Sequence, residues 1–406
     1  MKHLNRWVYA AISVVTLLLA GLVYAWSVLS IPIAAEFSQY SNAQLSLTFT
    51  ISMSFFCLGG LVGGILLGKW QARYNVWIAG VLFCAGFLIA SGMQSLAQLY
   101  IGYGVLGGFA SGMAYNAIMG TVMKWFPDRQ GQVSGILLMG FGISAFVIGK
   151  VYTAMLPAEI GGWRSLFRAM AFILLAVMAV GGIFCVKPDP EDLEKYSAGG
   201  QKKAARTGGA EMNAGQMLKN SSFWVYVCWT ILLSMTGLAF ISQSSGIIRE
   251  IAPDTAAGTV ATVAGLLSIF NGVGRLILGN LFDKIGYKKN MLLNCVLFVI
   301  ALAITIVSLL TKNFTVMVIS FILFGIAYGG VTPTNSAIIS SFYGLKNYPV
   351  NFSIINMTLL VSSFGSTIAG MLYDKSQSFF TVFIVMIVAA AAGAVLVFLL
   401  KRPEER

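Results

Sequence analysis

Long runs of apolar residues, separated by short polar turns, follow one another along almost the whole chain. A helix needs about 20 apolar residues to cross the hydrocarbon part of a bilayer. Twelve runs reach that length, which predicts an all-α membrane protein with twelve transmembrane helices. The predicted spans are 7–33, 45–67, 76–95, 99–123, 133–155, 166–186, 223–248, 259–282, 291–310, 315–342, 353–372 and 380–400.

A polar stretch with prolines, acidic residues and a Gly/Ala/Lys-rich run interrupts this pattern after the sixth span. It predicts a cytoplasmic linker, 187–221, between two six-helix bundles, 1–186 and 222–406. The turn after the second span, 64–73, is a degraded copy of the turn after the eighth, 279–288. Repetition at an offset of six helices indicates two pseudo-symmetric halves.

The basic residues are distributed unevenly between the two sides of the predicted helices. The chain has 26 Lys and Arg against 14 Asp and Glu, and 19 of the 26 fall at the termini and in alternate loops. Cytoplasmic segments of membrane proteins carry this bias, so both termini are predicted to be cytoplasmic. The net charge of +12 therefore reflects topology and contact with the lipid bilayer, and not nucleic-acid binding. We expect a multi-pass protein of the plasma or inner cell membrane.

One arginine, Arg275, lies near the middle of the eighth span. A charged side chain at that depth costs about 2.5–3.5 kcal/mol, and arginine cannot lose its proton to avoid the cost. No Asp or Glu occurs within any other apolar span, so an internal counter-charge is not available. Asn271, four residues earlier on the same helix face, can orient the guanidinium but cannot neutralise it. We therefore predict that Arg275 anchors a small anionic ligand.

Lys150, in the outer third of the fifth span, allows two interpretations. It is either a lysine that reaches to the outer interface or a second contact for the anion. The rest of the sequence carries little other chemistry, because the five cysteines lie singly and His3 is the only histidine. This pattern predicts no metal, no cofactor and no enzyme activity. A non-transporting membrane sensor is the alternative from another functional class.

The turn after the eighth span resembles a signature of the major facilitator superfamily. The residues that match are Gly279, Asp283, Lys284, Gly286, Lys288 and Lys289. The resemblance implies the two-bundle fold of that superfamily and a conformational role for these residues on the cytoplasmic side. The first-half copy has Gly68 where the acid belongs and Gln71 where a glycine belongs.

Three further features are similar to the oxalate/formate antiporter family and the related monocarboxylate carriers. They are Tyr24-Ala25-Trp26 in the first span, Tyr115 upstream of Trp125-Phe126-Pro127-Asp128-Arg129, and the lone Arg275. The resemblance implies that Arg275 binds a substrate carboxylate and that Tyr24, Tyr115 and Tyr328 line the site. Asp128 and Arg129, in a predicted cytoplasmic turn, are grouped with the conformational motif.

Two departures from these families bear on the substrate and on coupling. The eleventh span, 353–372, has no second basic residue, so one cation meets the ligand and a monocarboxylate such as lactate, pyruvate or formate is favoured. A dicarboxylate antiporter of the oxalate/formate type that uses Lys150 is the alternative. Asn271 stands where the proton-coupled carriers have an aspartate. We expect a monomer that works by alternating access, with anion exchange slightly favoured over proton symport.

Overall fold

The computed structural model describes residues 4–67, 69–126, 130–189, 211–344 and 347–403. All regular elements in these residues are helices. The chain forms two compact units. Unit 1 contains Met1–Tyr40 and Leu47–Ala205, and unit 2 contains Ser41–Ser46 and Arg206–Arg406. The predicted linker lies largely outside the described residues, so its bounds stay a prediction.

Unit 1 is built from long apolar helices whose aromatic side chains fill its interior. Trp26 packs on Tyr103 with ring centroids 4.9 Å apart, and Phe87 packs on Phe167 at 5.3 Å. Its helices are α1 (Arg6–Ala20), α2 (Trp26–Glu36), α3 (Asn42–Leu66, whose first turn belongs to unit 2), α4 (Ala72–Ser91), α5 (Leu96–Leu99), α6 (Gly108–Val122), α7 (Gln130–Gly142), α8 (Ser144–Met155) and α9 (Trp163–Phe184).

Unit 2 has a similar aromatic interior, in which the rings of Phe240 and Phe324 stack with centroids 3.9 Å apart. A short helix, capped by the Asn213 side chain, precedes its long helices. The helices are α10 (Ala214–Lys219), α11 (Ser221–Ile251), α12 (Ala257–Ile285), α13 (Tyr287–Thr311), α14 (Phe314–Gly329), α15 (Val331–Tyr343), α16 (Tyr348–Asn356), α17 (Thr358–Ser362), α18 (Phe364–Ser376) and α19 (Phe379–Leu399).

Within the described ranges, eleven continuous helical segments are long and apolar enough to cross a membrane. The predicted fourth span, 99–123, is helical too, but its first part, Tyr100–Gly107, is a π-helix. Large apolar side chains such as Phe398, which is 68% exposed, lie on the helix surfaces. An apolar surface on helices of this length is suited to contact with lipid.

Several predicted spans are interrupted near their middle. The first span contains a 3-10 turn, Gly21–Ala25, between α1 and α2. The tenth is broken at Gly330, between α14 and α15. Pro333, in the first turn of α15, has no N–H with which to bond the Gly329 carbonyl four residues earlier, so it supports the break. These breaks place Tyr24 and Tyr328 beside irregular backbone.

Candidate functional site

Arg275 lies in α12 and is half-buried, with Asn271 one turn before it. The Arg275 Nε donates a hydrogen bond of 3.0 Å to the Asn271 Oδ1, and Asn271 is only 7% exposed. Since Nε is held by the buried amide, the terminal nitrogens of the guanidinium project beyond it. Among the described residues, no carboxylate lies within ion-pair distance of Arg275. The predicted contact between Asn271 and Arg275 is confirmed as a hydrogen bond. No carboxylate of the described residues neutralises the guanidinium.

The backbone around Arg275 is in direct contact with α14. A β-carbon added at Gly274 would collide with the Ile326 carbonyl oxygen. One added at Gly329 would collide with the Asn271 carbonyl oxygen and lie 2.9 Å from the Arg275 amide nitrogen. Glycines at such positions let two helix backbones approach closely. The packing of α12 on α14 therefore fixes where Arg275 stands in unit 2.

We expect Gly274→Ala to lower the stability of the protein, because overpacking of a tight contact costs about 1–3 kcal/mol. The apparent melting temperature of the purified protein in detergent should fall by several degrees. Gly258→Ala, in the first turn of the same helix, is the matched control, since an added β-carbon there meets nothing within 4 Å. Equal melting temperatures for the two variants would show that the α12–α14 contact is looser than described.

Tyr328, predicted to line the site, precedes Gly329 in α14 and is half-buried. Its ring lies against Gly237 of α11, where an added β-carbon would be 2.7 Å from the Tyr328 Cγ and closer still to the ring edge. The absence of a side chain at Gly237 therefore sets the position of the tyrosine. Sequence reasoning missed Gly237, because nothing in the order of residues reveals which glycine faces which ring.

A buried polar group near the break in α14–α15 was also missed. Asn335, 6% exposed, accepts hydrogen bonds from the Tyr226 hydroxyl at 2.5 Å and from the Thr230 hydroxyl at 3.1 Å. All three side chains are buried, so the cluster joins α11 to α15 by polar contacts inside unit 2. The only signal in the sequence is a polar residue in each of two apolar spans, which does not reveal the pairing.

The two candidate tyrosines of unit 1 lie in one aromatic cluster. The Tyr24 ring packs edge-on against Phe141 at 5.6 Å, and the Tyr115 ring packs on Phe141 at 5.0 Å. Phe56 completes the cluster, 5.6 Å from Tyr115. Both tyrosines are half-buried. The structure therefore brings Tyr24 and Tyr115 together, and it adds two phenylalanines that the sequence did not single out.

The aromatic part of the Trp125–Arg129 stretch has a structural role. Trp125 is 1% exposed, and its ring stacks on Tyr9 at 4.6 Å. Its indole N–H donates to the Val186 carbonyl at 2.8 Å. Phe126 is fully buried beneath Arg6, whose guanidinium lies 4.8 Å from the ring. Asp128 and Arg129 lie outside the described residues, so their conformational role stays a prediction.

The predicted conformational motif of unit 2 spans the end of α12 and the start of α13. Gly286 joins the two helices with φ +80°, a conformation that favours glycine. Gly279 packs against Pro333 of α15, with 3.2 Å between an added β-carbon and the proline ring. Lys284, Lys288 and Lys289 are exposed. The backbone of Asp283 is helical, but its side chain lies outside the described structure, so the role of the motif stays a prediction.

Lys150 lies on α8 with its side chain exposed. A lysine that reaches for the membrane interface requires such exposure, and so does one that meets a dissolved anion. Within the described ranges, no group of His, Cys, Asp and Glu side chains is placed to hold a metal ion. The site that the structure assembles most completely is therefore the Arg275–Asn271 pair on its glycine-packed helix.

Comparison with known proteins identifies the family. The sequence matches the Major Facilitator Superfamily over residues 11–363 and again over residues 247–406. The chain belongs to this superfamily. The predicted fold, two helical bundles of major facilitator type in a multi-pass membrane protein, is thereby confirmed.

Two relatives of this major facilitator protein are named as carriers of small carboxylates. The oxalate:formate antiporter of Oxalobacter formigenes is 28% identical over 352 residues, which cover 85% of this chain and 80% of the relative. Monocarboxylate transporter 13 of Rattus norvegicus is 22% identical over 384 residues, covering 93% and 84% of the two chains. The resemblance to these two families, drawn from the tyrosines and Arg275, is confirmed.

Solved structures show the same fold at low sequence identity. A bacterial homolog of the human lysosomal transporter Spinster matches with a TM-score of 0.73 and 14% identity, covering 97% of this chain and 94% of that one. The xylose transporter XylE from E. coli matches with a TM-score of 0.70 and 14% identity, covering 98% and 99%. At these identities the likeness concerns the fold alone.

Proposed function

We propose that this major facilitator protein carries small organic monocarboxylates, such as formate, lactate or pyruvate, across the membrane. The observation that carries the proposal is the half-buried Arg275, whose Nε is held by Asn271 and which has no carboxylate partner among the described residues. A substrate carboxylate can accept two parallel hydrogen bonds from a guanidinium, which makes the pair strong and directional. The names of the two relatives support a carboxylate as substrate.

The charge of the site favours a monoanion. Asn271 contributes an amide oxygen and no charge, so Arg275 brings one positive charge to a ligand. A monocarboxylate neutralises that charge, whereas a dicarboxylate would leave one negative charge inside the membrane, which is costly. Tyr328, next to the α12–α14 contact, is suited to donate a further hydrogen bond from its hydroxyl.

The same charge bears on the mode of transport. An empty carrier holds an unneutralised cation in the membrane, and a loaded carrier does not. The loaded carrier should therefore change more readily between its outward-open and inward-open states. This asymmetry supports exchange of one anion for another. The membrane potential opposes the entry of a bare anion by about 2.3 kcal/mol per 100 mV. Proton symport is the other mode compatible with the proposal.

The test is uptake of radiolabelled pyruvate into proteoliposomes that contain the purified protein. We expect uptake when the vesicles are preloaded with unlabelled formate, lactate or pyruvate, and little uptake when they are empty. Uptake into empty vesicles that follows an imposed pH gradient would replace exchange by proton symport. Absence of uptake for all three anions under both conditions would overturn the proposal.

A second candidate, exchange of a dicarboxylate such as oxalate, is favoured by the similarity to the oxalate:formate antiporter. It requires a second cation, and Lys150 is the residue to test, since its exposed side chain lies within the predicted fifth span. If this candidate holds, low oxalate concentrations inhibit pyruvate uptake in the wild type but not in Lys150→Gln. The monocarboxylate proposal predicts weak inhibition by oxalate that Lys150→Gln leaves unchanged. Lys312→Gln, another exposed lysine, is the control.

A further inference from the structure

A cavity lies in unit 1 between the end of α4 and the first turns of α9. Its volume is about 420 Å³, within the range of about 300–1,000 Å³ that small-molecule sites occupy. The residues that line it are Ser91, Gly92, Met93, Gln94, Arg164 and Arg168. Two arginines in one cavity at the end of two apolar helices indicate an anionic ligand.

Arg164 forms one wall of the cavity, and its guanidinium is already engaged. Its Nη1 pairs with the Glu36 carboxylate at 2.5 Å, and its Nη2 donates to the Met93 carbonyl at 3.1 Å. The Trp163 indole N–H donates to the same carboxylate at 2.7 Å. Glu36 therefore balances the charge of Arg164, and these bonds hold the start of α9 against the end of α2 and the turn after α4.

Arg168, one turn later on α9, is a cation without such a balance. Its Nε donates to the Arg164 carbonyl at 3.4 Å, and its side chain is exposed. Among the residues that the structure describes, no carboxylate lies within ion-pair distance of Arg168. The terminal nitrogens of its guanidinium are donors, and the exposed Gln94 side chain brings an amide donor to the same cavity. With Arg164 balanced by Glu36, the cavity suits an anion that carries one charge.

Exposed apolar side chains continue from the cavity along both helices. Phe172, one turn beyond Arg168 on the same face of α9, is 60% exposed, and Leu88, one turn before the cavity on α4, is 38% exposed. The two helices stay in contact farther along, where the Trp77 indole N–H donates to the Ala179 carbonyl at 3.0 Å. A basic cavity at the end of two apolar membrane helices is suited to a lipid, because the headgroup meets the cation and the acyl chains meet the apolar side chains.

We propose that this cavity binds the headgroup phosphate of an anionic phospholipid such as phosphatidylglycerol. Arg168 and Gln94 donate to the phosphate oxygens, and Phe172 contacts an acyl chain. A phosphodiester carries one negative charge, so it neutralises Arg168 while Arg164 stays paired with Glu36. A free phosphate ion would use only the polar part of the cavity and leave the apolar face uncovered. The proposal rests on the chain being a membrane protein and not on the substrate that it carries.

Photo-cross-linking tests both the lipid and its position. The probe is phosphatidylglycerol with a photoactivatable group in one acyl chain, added below saturation to the purified protein in detergent, and labelled peptides are identified by mass spectrometry. In the wild type we expect label to be enriched in the peptide that contains Phe172. Arg168→Gln should lower this labelling about fivefold, which corresponds to the contribution of about 1 kcal/mol from one basic residue near an anionic headgroup. Arg168→Lys keeps the charge and should retain most of the label.

Arg249→Gln, which removes an exposed arginine of unit 2, is the matched control and should leave label in this peptide unchanged. Unlabelled phosphatidylcholine with the same acyl chains should compete weakly, because its choline brings a positive charge to Arg168. Inorganic phosphate at the same concentration should not compete, since it lacks the acyl chains. Displacement of the probe by inorganic phosphate would assign the cavity to a free phosphate ion and overturn the lipid proposal. Equal competition by phosphatidylcholine, unchanged labelling in Arg168→Gln, or no enrichment of label at Phe172 in the wild type would also overturn it.

Discussion

Replacement of Arg275 by lysine is expected to lower kcat/KM for monocarboxylate exchange by about 10- to 100-fold. Lysine keeps the positive charge but loses the planar fork that binds a carboxylate through two parallel hydrogen bonds. It also cannot reproduce the bond from Nε to Asn271 that orients the guanidinium. Loss of one charge-assisted hydrogen bond costs about 1.5–3 kcal/mol, which corresponds to this range. Initial rates of labelled pyruvate uptake into preloaded proteoliposomes measure the change.

Arg249→Lys is the matched control for this substitution. Arg249 lies in the last turn of α11 with its side chain exposed, and its replacement should leave exchange within about twofold of the wild type. Near-normal exchange by Arg275→Lys would show that the guanidinium geometry is not used. A loss of similar size in Arg249→Lys would show that replacing an arginine elsewhere in the protein also lowers exchange, so that the effect at Arg275 would not indicate a carboxylate site.

Asn271→Asp is expected to make transport strongly dependent on pH. The new carboxylate would stand where the amide oxygen now accepts the Arg275 Nε, 3.0 Å away, and would neutralise the cation. A substrate anion then meets an ion pair with no net charge. If its carboxylate lies about 4 Å from the new carboxylate, the two repel each other by about 4 kcal/mol at an effective dielectric constant of 20. Binding therefore requires uptake of a proton. We expect exchange at pH 7.5 to fall at least tenfold, and KM to decrease as the pH is lowered.

The measurement is KM for pyruvate exchange at several pH values, with equal pH on both sides of the membrane. Asn280→Asp adds the same charge on an exposed position of the same helix and should keep the pH dependence of the wild type. An Asn271→Asp variant whose KM does not change with pH would mean that residue 271 does not share the site of the transported anion.

The hydrophobic pattern predicted the fold well because membrane helices must satisfy their backbone internally and present apolar side chains to lipid. Twelve runs of sufficient length were visible, and the two-bundle fold is confirmed. The pattern did not show the breaks at Gly21–Ala25 and Gly330. A run of apolar residues has the same appearance whether its helix is straight or interrupted, and only the glycines and Pro333 of the tenth span indicated a helix that can bend.

In the candidate site too, contacts within one helix could be predicted from the sequence, and contacts between distant helices could not. Asn271 and Arg275 could be paired from the sequence, because residues four apart lie on one helix face. The contact of Gly237 with Tyr328, and the hydrogen bonds of Tyr226 and Thr230 to Asn335, could not be predicted. Both depend on which distant helices pack together, and a single sequence does not reveal this. Arg275, which has no carboxylate partner among the described residues, was nevertheless recognisable as a charged residue in an apolar span, because this depends on composition alone.

Calorimetric titration of the purified protein with pyruvate, for the wild type and Arg275→Gln, tests most directly whether a bound carboxylate neutralises Arg275. Arg275→Gln removes the unneutralised cation and should fold at least as stably as the wild type, as its melting temperature will show. The account predicts saturable binding of one pyruvate per chain to the wild type and no measurable binding to Arg275→Gln. Equal affinity in the two proteins would contradict it.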